Sequence, residues 1–192
     1  MLALGAQTLT IRGSEKSMYG KLFEKFVLGS TLTILGFDYI NRETPRHTNV
    51  FWLSERLDKR ESDATALLRA GSGIRFDIGF IGRGNTEVRL DKVSRFEREM
   101  ERNGFKSNTI TIILIDTIGE KSRIEDMAKN IDGHIIQISG TYWVHKLAET
   151  IKAAFPFYNN PLLHISKEQS LQYLKDRMSD IDLSKFLTTP IK

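Results

Sequence analysis

Acidic residues gather between positions 63 and 91, and their types suit a metal ion. Asp77 stands in the stretch FDIGFIGRGNTEVRLDK (76–92), Glu87 and Asp91 follow it, and Asp63 precedes it. Aspartate is depleted in strands, so Asp77 between Phe76 and Ile78 asks for a reason. Two hard carboxylates that converge can hold a divalent cation. Arg89 and Lys92 lie close by as the positive charge such a site uses, and Arg83 sits in the intervening Gly-Arg-Gly-Asn turn. The plain alternative for each is a surface residue or an ion-pair partner.

Strand register constrains which acids can meet. If 83–85 is a three-residue hairpin loop, Asp77 faces Asp91 and stands roughly 13 Å along the strand from Glu87. A two-residue loop puts Asp77 and Glu87 on opposite faces. An Asp77–Glu87 pair therefore requires a strong bulge or diverging strands. In a second arrangement Asp63 is the first acid and Asp77 the second, with strand 74–81 carrying the site. The position two residues beyond Asp77 is then Gly79, so the cation must come from Arg89, Lys92 or Lys21. Both arrangements use Asp77.

The surrounding pattern supplies the elements. SEKSMYGKLFEKFVLGSTL predicts a helix running towards Leu35, with Gly36 as its stop. FDYIN and NVFWLS have strand composition. DATALL, IRFDIGFI and TEVRL read as three short strands separated by Gly-rich turns, a meander. Beyond them come a charged helix at 91–104, the apolar strand TITIILID, a helix at 121–133, the strand HIIQIS, and a helix closed by Pro156. Ser166 with Gln169 forms a capping-box pattern ahead of KEQSLQYLKDRM. The expected fold is α/β: a mixed central sheet containing an antiparallel meander, with helices on both faces. Residues 1–156 read as the core and 157–192 as a helical extension.

Helix, acid-bearing meander, helix and strand, in that order, resemble the PD-(D/E)XK nuclease superfamily. RFDIGF is similar to the strand with that motif's first aspartate, and TEVRL to its following strand with arginine in the lysine position. YGKLFEKFV resembles the first helix of many restriction endonucleases, where a glutamate faces the site; Glu24 holds that position. Within the superfamily the chain is most similar to type II restriction endonucleases of the CfrBI kind. The resemblance implies Mg²⁺-dependent cleavage of double-stranded DNA by a homodimer, with Asp77, Glu87 and possible further acids Asp63 and Glu24 around the metal. Arg89 or Lys92 would be the adjacent cation, and Arg89 would act by charge and positioning, since arginine is a poor base. Arg42, Arg46 and Arg83 would touch the DNA backbone.

Composition sets the outer bounds. The chain has 192 residues, no cysteine and a formal net charge of +4. Disulfides and thiolate metal sites are excluded, a cytoplasmic location is expected, and a nucleic-acid partner is permitted. The longest apolar run is too short to span a membrane. The four histidines show no metal-ligand spacing, and Trp52 and Trp143 read as packing residues. Two other functions fit the same pattern: a non-catalytic DNA-binding domain with a degenerate nuclease core, and a small ligand-binding domain centred on Asp116.

Overall fold

The computed structural model describes residues 20–40, 48–54, 62–79, 108–116 and 133–187. Among the described residues six strands form one sheet in chain order, β1-β2-β3-β4-β5-β6. They are β1 (Asp38–Tyr39), β2 (Val50–Leu53), β3 (Ala64–Arg69), β4 (Ser72–Gly79), β5 (Asn108–Ile115) and β6 (Gly133–Gln137). β2, β3 and β4 run antiparallel as the meander, whereas β1 pairs with β2 in parallel, as do β4 with β5 and β5 with β6. The sheet is mixed, as the sequence pattern predicts.

β4 is bonded to β3 over Ser72–Phe76 along one edge and to β5 over Ser72–Gly79 along the other. Among the described residues the antiparallel set is β2-β3-β4; the expected strand TEVRL lies outside them. The helix expected at 91–104 and all but the last residue of the one expected at 121–133 lie outside the described residues; that last residue, Gly133, opens β6 instead.

Among the described residues three α-helices accompany the sheet: α1 (20–34), α2 (Trp143–Ala154) and α3 (Lys167–Ser179). α1 buries Leu28 and Leu32, and the turn that follows buries Leu35, all spaced for one helical face. Fully burying each such leucine contributes about 1.5–3 kcal/mol. The helix ends in a Schellman turn, with the Phe37 N–H donating to the Leu32 carbonyl and the Gly36 N–H to Thr33, each at 3.0 Å. Gly36 sits at φ +89°, where a Cβ would be strained. Two later residues satisfy the terminal carbonyls of α1: the Tyr158 hydroxyl donates to Leu35 at 2.9 Å and the Asn160 amide to Ile34 at 3.1 Å. Burial, and secondarily Tyr173, pushes the Tyr158 pKa above the usual tyrosine range. α3 starts with both bonds of the Ser166–Gln169 capping box.

The two sheet faces differ in cover. Ile74, Phe76 and Ile78 of β4 join Ile112, Leu114 and Ile136 in a core with α1 and α2. Tyr158, Leu162 and Phe186 belong to the same core, so 157–187 packs onto the sheet's helical side. The alternate residues, Arg75, Asp77 and Gly79, point to the opposite face, together with Ile113 and Ile115 of β5.

Candidate active site

β4 positions Asp77. Its neighbours Phe76 and Ile78 are held in the core, and strand alternation turns Asp77 to the other face, where it is wholly buried. Its partner in β5 is Ile113. The last β3–β4 ladder pair on this side is Ala64 with Phe76. One step further in the same register stand Asp63 and Asp77.

The hydrogen bonds define that step. The Ser54 N–H donates to the Asp63 carbonyl at 3.0 Å, so Asp63 turns its backbone towards β2. Its carboxylate Oδ2 accepts from the Ile78 N–H of β4 at 2.9 Å. Asp63 and Asp77 thus occupy a non-hydrogen-bonded position of the β3–β4 ladder, the kind that brings opposed Cα atoms to about 4.5 Å. Their side chains share a face, with Cβ atoms on the order of 5 Å apart. That separation allows both carboxylates to reach one ion.

The other expected site residues divide into two groups. Glu24 is half-buried in α1, four residues before Leu28 and eight before Leu32. It lies on the helix that covers the face opposite Asp77. Among the described residues no three His, Asp or Glu side chains converge as a metal cluster, so Glu24 is not brought to the acid pair. Glu87, Arg89, Lys92, Arg42, Arg46 and Arg83 lie outside the described residues.

Arg75 is not among the expected site residues. It shares Asp77's face of β4 two residues earlier and is half-buried. Its ladder partners are Thr65 and Thr111. The usable signal was alternation read backwards: a cation two residues before an acid is on the same face as one two residues after it.

The pair stands at a defined edge of the sheet. Asp63 precedes β3, Asp77 is near the end of β4, Asp116 follows β5 and Ser139 follows β6, all at the same edge given the strand directions. A cavity of about 580 Å³ continues this edge beyond β6, lined by Ser139, Thr141, Trp143, Lys146, Glu149 and Lys167. His145 is buried in α2 with Nε2 3.5 Å from Glu149, a packing residue away from the acids.

A family profile described as CfrBI restriction endonuclease matches residues 1–123. The chain belongs to the CfrBI restriction endonuclease family. It is also similar to the curated "Type II restriction enzyme CfrBI" of Citrobacter freundii, with 46% identity over 190 residues. That alignment takes in 97% of this chain and 53% of the Citrobacter enzyme, so the chain spans about half the length of that relative. No solved structure matches the chain. The CfrBI-family match covers β1 to β5 and thus both acids of the pair.

Proposed function

We propose that this CfrBI-family chain carries the metal-binding core of a site-specific endodeoxyribonuclease acting on double-stranded DNA. The observation that carries the reading is the Asp63–Asp77 pair, opposed across β3 and β4 and fixed by the Ile78 N–H bond. The donor set fits Mg²⁺: hard carboxylate oxygens from rigid strands, few enough that the ion keeps several waters. Bound there, Mg²⁺ supplies Lewis acidity and a water of lowered pKa for hydrolysis of the phosphodiester.

The protein's own part is placement. Asp63 and Asp77 would present carboxylate oxygens to the ion at the sheet edge. The Ile78 N–H fixes the Asp63 carboxylate, and burial excludes solvent from Asp77. Lys146 and Lys167 stand further along that edge as contacts for DNA phosphates. Glu87, with Arg89 or Lys92, remains a proposed contributor from 80–107, as do Arg42, Arg46 and Arg83 as backbone contacts. Cutting both strands calls for a homodimer on a two-fold site, acting in the cytosol.

The test is cleavage of supercoiled plasmid and phage DNA by the wild-type protein and Asp77→Asn, with Mg²⁺ and with EDTA. Linear products that require Mg²⁺ and vanish in the variant support the reading. Wild-type activity in Asp77→Asn overturns it. DNA binding with no cleavage in any divalent ion selects the non-catalytic alternative.

A further inference from the structure

We infer that Arg75 is the stand-in cation of the acid pair: it holds Asp63 and Asp77 in register while no metal is bound, and yields to the ion. The inference rests on the metal-binding reading of that pair. Arg75 and Asp77 share a face of β4, about 6.6 Å apart along the strand. Arg75 lies opposite Thr65, and Asp63 is two residues from Thr65, so Arg75 and Asp63 are diagonal neighbours. Such positions are about 7–8 Å apart and within reach of a long side chain.

The charges on this face favour the same placement. Among the described strand and strand-end residues of the face, Asp63 and Asp77 are the carboxylates, while the ladder partners of Arg75 are both threonine. Two opposed carboxylates repel, and one of them is fully buried. An ionised pair in that setting requires positive charge nearby. A guanidinium supplies it at every physiological pH. Gly79, two residues on the other side of Asp77, has no side chain to offer. Arg75 is also set further from the sheet edge than the acids. An ion arriving at the edge meets the carboxylates first, with Arg75 behind them. Arg75 is therefore a positioning residue that acts through Asp63 and Asp77.

The test is a double-mutant cycle on the full chain in EDTA, followed by titration with Mn²⁺ without DNA. Arg75→Gln is expected to lower the metal-free Tm by roughly 4 °C or more. Combining it with Asp77→Asn should recover at least half of that loss, since the unbalanced charge is gone. Arg75→Gln should also bind Mn²⁺ about tenfold or more tightly than wild type, because no guanidinium competes for the carboxylates. Arg75→Lys keeps the charge and should stay near wild type in both readouts; if Arg75→Gln does not fold, wild-type stability and Mn²⁺ affinity in Arg75→Lys support a charge role. An additive cycle, or unchanged Mn²⁺ affinity in Arg75→Gln, overturns the inference. Coupling in EDTA with no Mn²⁺ uptake by wild type overturns the metal reading of the pair and the stand-in role with it, while leaving the Arg75–acid pairing measured.

Discussion

Replacing Asp63 separates its structural work from its chemical work. Oδ2 accepts the Ile78 N–H at 2.9 Å in a partly buried setting. Asp63→Ala leaves that N–H without its acceptor, at a cost of about 1–3 kcal/mol. In a protein of this size each kcal/mol moves Tm by roughly 2–4 °C. Relief of repulsion with Asp77 offsets part of the cost, which places the expected fall at about 2–6 °C. Asp63→Asn keeps an acceptor oxygen of nearly the same shape and removes the charge. Its stability should stay within about 0.5 kcal/mol of wild type, while cleavage falls at least about 100-fold as an anionic metal ligand is lost. Thermal unfolding and initial rates of plasmid cleavage read the two effects apart. If Asp63→Asn cleaves within tenfold of wild type, Asp63 does not hold the metal. If Asp63→Ala is as stable as wild type, the Ile78 bond does not anchor the strand end.

Three other outcomes follow from the packing and the edge. A Cβ on Gly29 would lie 2.6–2.7 Å from the Phe186 ring, so Gly29→Ala should destabilise by about 1–3 kcal/mol, read by denaturant midpoint; an unchanged midpoint contradicts the seating of Phe186 on α1. Tyr158 has a folded pKa raised above its unfolded value, so its contribution is fully present below about pH 10 and is lost as pH rises further. Tyr158→Phe should therefore cost about 1 kcal/mol at neutral pH and make stability less sensitive to pH above about 10; an identical alkaline limb in both proteins contradicts this. Lys146→Ala with Lys167→Ala should weaken DNA binding across sequences and reduce the salt slope by up to about 2, measured by fluorescence anisotropy. An unchanged slope places the DNA elsewhere.

Local signals in the chain were sound where structure is made locally. Gly36 stops α1, Ser166 and Gln169 box the start of α3, and the β-branched run TITIILI becomes a doubly covered strand. Long-range pairing left weaker marks. β4 takes as its second neighbour a parallel strand that begins 29 residues beyond its own end. Parallel pairing through a crossover writes no turn residues at the strand end. The α1 carbonyls are satisfied from 123 and 126 residues away, by Tyr158 and Asn160, which no window of sequence reveals. For the site, register arithmetic had already shown that a regular hairpin cannot join Asp77 to Glu87. In the second arrangement, with Asp63 as first acid, the two acids follow directly on Ala64 and Phe76, the last paired residues of the β3–β4 ladder on this side. Arg75 escaped notice because the cation was sought after the acid instead of before it.

Divalent-ion binding tests the acid pair most directly. Mn²⁺ titrated into wild type, Asp63→Asn and Asp77→Asn, followed by electron paramagnetic resonance of the free ion, should show a site in wild type that both variants lose. Wild-type binding in both variants, or loss in Asp77→Asn alone, contradicts a metal shared between Asp63 and Asp77.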